Sequence, residues 1–119
     1  MAVRAVRGAV QLERDDAEHM QEQVGELLTA ILERNGLLAD DLISVWFTAT
    51  PDLHSDFPAA ARALGITDVP LICAQELAVA GAMERVVRVL AHVETGLSKA
   101  GIAHVYLGAA AGLRKDIAQ

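Results

Sequence analysis

The stretch from Asp16 to Gly36 carries an apolar stripe with helical spacing, and this stripe limits the possible folds more than any other feature of the sequence. Asp15 and Asp16 can cap the first turn, and Asn35-Gly36 is a typical stop signal. The remaining side chains are largely charged or amides. The pattern predicts a long surface helix that packs on something flat through Met20, Val24, Leu27, Leu28, Ile31 and Leu32.

Apolar and β-branched runs on both sides of this helix predict the strands that supply the flat surface. The first run alternates, with Val6 and Val10 on one face and Arg7 on the other. The runs predicted as strands are 2–12, 42–50, 69–73, 86–94 and 104–107.

The run 86–94 allows two interpretations. As a strand, it alternates Val87 and Val89 against Arg88. As a helix, it would bring Arg88 and His92 onto one face together with Arg85. The β-branched residues favour the strand, and the helix remains an alternative.

A second, short helix is predicted over 57–65, because Pro58 lies in its first turn and Gly65 can end it. Five strands with one long and one short helix predict an α+β domain with a mixed five-stranded sheet and both helices on one face. The 119 residues suit a single domain, 1–119. The other sheet face, rich in Val and Ala, should be buried against further copies of the chain, so we expect a homo-oligomer.

Composition excludes several classes of function. A net charge of -6 and only one Trp, one Tyr and two Phe argue against nucleic-acid binding. Cys73 is the only cysteine, which excludes an internal disulfide and is consistent with the cytoplasm. Without a signal sequence or a long apolar stretch, no membrane association is expected.

No standard catalytic signature is present in the sequence. The four histidines lack ligand spacing, so we expect no metal site. Cys73 has no recognisable histidine partner and is more typical of a small buried residue than of a nucleophile.

The unusual feature is a set of charged residues on apolar elements: Arg7, Glu76, Arg88 and Arg114. Arg88 could pair with Glu76 or Glu94 in a structural bridge, or point to solvent. Alternatively, these charges could form a pocket for a small carboxylate at a subunit interface. The residues alone leave both interpretations open.

Six segments together resemble one enzyme family almost end to end: VRGAVQLERD (6–15), TATPDLHSDFPA (48–59), VPLICAQELAVAG (69–81), RVVRVL (85–90), HVYL (104–107) and LRKD (113–116). The resemblance is to the monofunctional chorismate mutases of the AroH type, which are homotrimers with a pseudo-α/β-barrel fold. It implies the [3,3]-sigmatropic rearrangement of chorismate to prephenate, a step in phenylalanine and tyrosine biosynthesis. It also implies that no cofactor is needed and that the sites lie between subunits.

The resemblance assigns a role to each matching residue. Arg88 would face the ether oxygen, whose negative charge grows in the transition state. Glu76 would accept a hydrogen bond from the substrate hydroxyl and fix Arg88. Arg7 and Tyr106 would bind a substrate carboxylate.

A second group of residues would complete the pocket. Cys73 would donate to the hydroxyl region, and Phe57 would form part of the wall. Leu113 would line the pocket, with Arg62 and Arg114 near its mouth.

Two departures from the family concern the entrance. Ala60 stands where the family commonly has a lysine, so we expect weaker substrate affinity and an unchanged chemical step. The segment after Leu113 is short, so we expect it to cover the site less fully.

Three other interpretations compete with a mutase. The first is a non-catalytic binding or regulatory module on the same scaffold, which the presence of Arg7, Glu76, Arg88 and Tyr106 disfavours. The second is a trimeric imine deaminase, which lacks support from the ATPDLH and HVYL segments. The third is a structural oligomerisation domain, for which Arg88→Ala should leave every ligand-dependent property unchanged.

Overall fold

The computed structural model describes residues 1–58, 66 and 68–113. Short 3₁₀ helices cover Ala39–Asp41, Lys99–Gly101 and Gly108–Leu113. The main elements are β1 (Ala2–Gln11), α1 (Ala17–Arg34), β2 (Leu42–Ala49), β3 (Leu71–Gln75), β4 (Val86–Thr95) and β5 (Val105–Leu107).

Helix α1 begins and ends where the sequence predicts. The Asp16 side chain caps it by accepting a hydrogen bond from the His19 backbone N–H at 2.9 Å. Asn35 is the C-cap, and Gly36 follows with φ of 62°, a conformation that glycine adopts without strain. The predicted stripe is buried except for Leu32, which is partly buried against the same core.

The five strands form one mixed sheet in the order β3-β2-β4-β1-β5. Strand β4 lies at its centre and pairs antiparallel with both β1 and β2. The outer pairs, β2 with β3 and β1 with β5, are parallel. Pairing on both sides rules out the helical alternative for 86–94, because every backbone polar group there can join a ladder.

The two faces of the sheet have different surroundings. Helix α1 packs on one face, where Val6, Val10, Phe47 and Val89 form the main core with the helix stripe. We call the other the open face and define it by Val3, Arg7, Trp46, Arg88, Leu90 and Ile72. At the β5 end, the Gly108–Leu113 helix and Met83 cover a part of it.

Two predicted strands have different bounds in the structure, and one element was not predicted. Strand β3 begins at Leu71 and not at Val69, since Pro70 has no N–H to donate to the ladder, and it continues to Gln75 beside β2. Strand β5 begins at Val105, because the His104 ring and not its backbone takes the Arg7 N–H. Residues 108–113, for which the sequence predicts no element, form a 3₁₀ helix whose Ala110 is buried. Of the predicted short helix, 59–65 lies outside the described residues.

Candidate active site

A cleft of about 330 Å³ lies on the open face, at the level where Arg88 crosses the centre of the sheet. We call it the strand cleft. All of its lining residues except Glu76 belong to strands, and Glu76 directly follows β3. They are Arg7, Gly8, Trp46, Thr48, Glu76, Arg88, Val89, Leu90 and Tyr106.

Strand register explains why these side chains meet. Arg88 of β4 lies opposite Thr48 of β2 and opposite Ala9 of β1, which in turn pairs with Tyr106 of β5. Directly paired residues point to the same face of a sheet, so this row stands together on the open face. Ala9 is the small member of the row and leaves space between Arg88 and Tyr106.

Arg88 and Glu76 form an ion pair in the cleft. Arg88 Nε lies 2.8 Å from Glu76 Oε1, and the two side chains are 42% and 22% exposed. The contact is charge to charge, because the buried Nε makes no hydrogen bond with a described residue. Thr48 Oγ1 donates to the same Oε1 at 3.1 Å. Of the two carboxylates considered for Arg88, Glu76 and not Glu94 is therefore its partner among the described residues.

Arg7 and Tyr106 are held on the β5 side of the cleft. The Arg7 backbone N–H donates to His104 Nδ1 at 3.0 Å, and its side chain is half-buried. Tyr106 is only 3% exposed, since it packs with Ala9 and Ala110 beneath the last 3₁₀ helix. The ring is therefore rigidly placed while it still borders the cleft.

A second pocket, of about 460 Å³, lies beside the edge strand β3 and is lined by that strand and the 49–58 loop. We call it the loop pocket. It holds Phe57, which is 72% exposed, and Cys73. Cys73 pairs with the buried Phe47 and so belongs to the helix-covered face, at the margin of the main core. The structure thus places Phe57 and Cys73 away from Arg7, Glu76, Arg88 and Tyr106 within one chain.

Asp15 fixes the 49–58 loop. Its carboxylate accepts backbone N–H groups of His54 and Ser55 at 3.0 to 3.1 Å. The Ser55 side chain, with these two N–H groups, holds the pKa of Asp15 below its ordinary value, because each hydrogen bond favours the charged form.

Asp52 ties the same loop to the start of β4. Its carboxylate accepts the backbone N–H of Arg85 at 3.0 Å. Burial acts to raise the pKa of Asp52, but hydrogen bonds from the Thr50 side chain and from Arg85 outweigh it, so the pKa is lowered. Arg85 itself has φ of 53°, an uncommon conformation that its contacts with Asp52 and Leu12 hold in place.

Of the remaining predicted residues, only Leu113 is among those that the structure describes, and it does not line the strand cleft. Leu113 packs beside Tyr106 in the small cluster under the last 3₁₀ helix. Arg62, Arg114 and Ala60 lie outside the described residues.

Sequence reasoning missed Thr48, Trp46 and Leu90 as cleft residues. Alternation along 42–50 could have found the first two, because Thr48 and Trp46 share a face that excludes the buried Phe47. Leu90 follows Arg88 on the same face of β4 by the same rule. Which strand lies beside which is not visible in that pattern.

Within 1–58, 66 and 68–113 no group of three or more histidine, cysteine or acidic side chains could hold a metal ion. None of the helices found there is long and apolar enough to cross a bilayer. The chemistry that the cleft can offer comes from guanidinium, carboxylate, hydroxyl and phenol groups.

Comparison with known proteins matches this chain to one family. The family model for chorismate mutase type I matches residues 3–117. Chorismate mutase AroH of Thermus thermophilus is 44% identical over 117 residues, covering 97% of this chain and 96% of that protein. The Bacillus subtilis (strain 168) protein of the same name is 40% identical over 119 residues, covering 98% and 94%.

A solved structure agrees in fold. The chorismate mutase from Clostridium thermocellum superposes with a TM-score of 0.88 at 42% identity, covering 90% of this chain and 96% of the other. The mixed five-stranded sheet expected from the sequence is therefore confirmed, both by the strands themselves and by this likeness. Because the family model matches nearly the whole chain and two relatives are 40% and 44% identical over nearly their full length, this protein belongs to the type I chorismate mutases.

Proposed function

We propose that this chain isomerises chorismate to prephenate, in the biosynthesis of phenylalanine and tyrosine, at sites between the subunits of a cytoplasmic homotrimer. The proposal rests on family membership and on the charges of the strand cleft. The observation that carries it is the guanidinium of Arg88, held by Glu76 in an open cleft that Arg7 and Tyr106 also line.

The rearrangement breaks a carbon–oxygen bond and forms a carbon–carbon bond within one molecule, so no proton relay or nucleophile is required. A protein accelerates such a step by holding the substrate in a compact chair-like conformation and by stabilising the charge that develops on the ether oxygen. The residues of the strand cleft suit these two tasks.

Arg88 would act on the ether oxygen. Its Nε faces Glu76, and its terminal nitrogens make no hydrogen bond or ion pair with a described residue, which leaves them for the substrate. The ion pair fixes the guanidinium before substrate binds, so little reorganisation is needed when charge builds up. Interaction with an oxygen that becomes more negative is stronger in the transition state than in the substrate, and this difference lowers the barrier.

Arg7 and Tyr106 would hold a carboxylate of the dianion on the β5 side of the cleft. The guanidinium and phenol groups can both donate to carboxylate oxygens. Glu76 would accept the substrate hydroxyl on Oε2, because the contacts with Thr48 and Arg88 both use Oε1.

A trimer would unite the two pockets. The open face exposes Val3, Trp46, Ile72 and Leu90, an apolar surface that association would remove from water. Phe57 and Cys73, which one chain keeps apart from Arg88, would then complete a neighbour's cleft, with Leu113, Arg62 and Arg114 near its edge. The free thiol of Cys73 is consistent with a reducing compartment.

Chorismate consumption, followed by absorbance with prephenate identified as the product, tests the activity. We expect Arg88→Ala to lower kcat by about 10²- to 10³-fold, as for the loss of one preorganised donor. Arg88→Lys should restore little, because an ammonium lacks the guanidinium fork. Arg34→Ala, an exposed arginine in the last turn of α1, is the matched control and should behave as wild type.

Two results would contradict the proposal. Wild-type protein that binds chorismate without converting it would favour the non-catalytic module. Full activity of Arg88→Ala would exclude the mechanism. Sedimentation equilibrium tests the assembly, since a trimer has three times the 12.6 kDa mass of the chain.

A further inference from the structure

Thr48 lies beneath the Arg88–Glu76 ion pair. Strand β2 separates β3 from β4, so the Glu76 side chain must reach across β2 to meet Arg88. Two neighbouring strand spacings amount to roughly 9.5 Å, and the crossing therefore passes over the β2 residue at that level. The register places Thr48 there, opposite Arg88.

The Thr48 side chain suits this place in size and in chemistry. It is short enough to leave room for the ion pair above it, and its Oγ1 donates to Glu76 Oε1 at 3.1 Å. The Glu76 backbone is fixed as well, because its N–H donates to the Ala49 carbonyl at 2.9 Å. With the backbone held, the remaining freedom of Glu76 is rotation of its side chain and carboxylate.

The hydroxyl removes that freedom. One carboxylate oxygen receives both Thr48 and Arg88, so the plane of the carboxylate is set and Oε2 is directed away from them. The ion pair alone does not set this plane, since Arg88 Nε makes no hydrogen bond with a described residue. We infer that Thr48 is a positioning residue, whose hydroxyl orients Glu76 so that Arg88 and the substrate hydroxyl are both held correctly.

This inference rests on the proposed function and predicts a specific kinetic effect. Thr48 does not itself hold the ends of the substrate, so its loss should leave KM almost unchanged. A misdirected Glu76 would allow Arg88 to move, and the interaction made in the transition state would weaken. The effect should therefore fall on kcat.

The experiment compares Thr48→Val, which keeps the shape and removes the hydroxyl, with Thr48→Ser, which keeps the hydroxyl. We expect Thr48→Val to lower kcat about 10-fold, the effect of losing a hydrogen bond to a charged group, with KM within about twofold. Thr48→Ser should retain kcat within about threefold. Urea unfolding of both variants shows whether the fold is kept, and Thr48→Ala provides the same comparison if the valine variant does not fold.

A double-mutant cycle with Glu76→Ala separates positioning from a merely structural role. If Thr48 acts through Glu76, Thr48→Val should change kcat by less than about twofold in the Glu76→Ala background. The same 10-fold loss in both backgrounds, an unchanged kcat in Thr48→Val, or an equal loss in Thr48→Ser would each overturn the inference. Absence of activity in wild-type protein would instead refute the proposed function, so the two failures are distinguishable.

Discussion

The strand cleft and the loop pocket hold their side chains in different ways. In the strand cleft, Arg7, Arg88 and Tyr106 sit on paired strands, and backbone register fixes their spacing. In the loop pocket, Phe57 sits on a loop that exposed carboxylates of Asp15 and Asp52 tie to its surroundings. The comparison teaches that the charged groups are positioned by the sheet, whereas the apolar wall depends on a few polar contacts. Changes in packing should therefore damage the first region, and changes in loop contacts or pH should affect the second.

The largest effect on stability is expected from behind the strand cleft, at Gly8. A Cβ added there would lie 2.9 Å from the Val105 carbonyl oxygen and 3.0 Å from Ile31 Cδ1, so β1, β5 or α1 must shift. We expect Gly8→Ala to lower the free energy of unfolding by about 2 kcal/mol and to reduce kcat/KM as Arg7 and Tyr106 separate. Urea unfolding measures the first and the chorismate assay the second. Gly96→Ala is the control, since no heavy atom lies within 4 Å of its Cβ position, and equal stability of the two variants would contradict the argument.

A smaller effect is expected at Asn35, which supports the strand cleft from the end of α1. Its buried side chain donates to the Ile31 and Ala103 carbonyls and accepts the Ala103 N–H at 2.7 Å. His104, which directly follows Ala103, accepts the Arg7 N–H, so Asn35 is linked to the β1 side of the cleft. Asn35→Ala should lower the free energy of unfolding by about 1.5 kcal/mol, because buried polar groups lose their partners. Ser98→Ala, which removes an exposed cap, should cost less, and the reverse order would argue against this support.

The loop pocket should respond to Asp15→Ala more in substrate binding than in the free energy of unfolding. The variant frees the His54 and Ser55 N–H groups and loosens the loop that carries Phe57. We expect KM for chorismate to rise about two- to threefold with kcat unchanged, because exposed hydrogen bonds are worth little. Asp15→Asn keeps an acceptor oxygen, so its KM should lie between those of the wild type and Asp15→Ala. A fall in kcat without a change in KM would show that the two regions are not separable in this way.

The smallest effect is expected from acid. As pH falls, the 49–58 loop should loosen at a higher pH than the strands. The lowered pKa values of Asp15 and Asp52 mean that their contribution to stability is complete above their ordinary pKa of 3.8 and is lost as pH falls through the lower folded-state values. Pepsin cleavage within 50–58 should therefore rise below about pH 4. Trp46, the only tryptophan, reports on the strand cleft by its fluorescence. This fluorescence should change only at a pH below that at which loop cleavage rises. A Trp46 change that precedes loop cleavage would reverse the comparison.

Much of the fold could be predicted because alternation and caps are local signals. The Asp16 cap, the Asn35-Gly36 stop and the alternation of β4 follow from interactions a few residues apart. The errors lie where a distant partner decides. Strand β3 extends to Gln75 because β2 pairs with it, and residues 108–113 form a 3₁₀ helix whose Ala110 is buried beside Tyr106. Neither partner is visible from the neighbouring sequence.

The candidate site likewise has features that the sequence could predict and features that only the fold shows. The residue types of Arg7, Glu76, Arg88 and Tyr106 could be selected from the sequence, because charges on apolar runs are rare and the segments resemble a known family. The structure brings these four side chains to one cleft, where strand register places Arg7, Arg88 and Tyr106 and Glu76 follows the end of β3. The separation of Phe57 and Cys73 from that cleft within one chain, and the place of Thr48 under the ion pair, could not be predicted from residue types.

The sequence by itself determined most of the elements, the face that most strands turn toward the helix, and the family. These are set by periodicity, capping and residue identity, which act along the chain. Only the tertiary structure decided that Arg88 pairs with Glu76 and not Glu94, and that Thr48 donates to the same carboxylate. The physical reason is that hydrogen-bonded strand pairing brings Glu76 and Arg88 to Thr48, although they lie 28 and 40 positions further along the chain. No local pattern encodes which strands become neighbours.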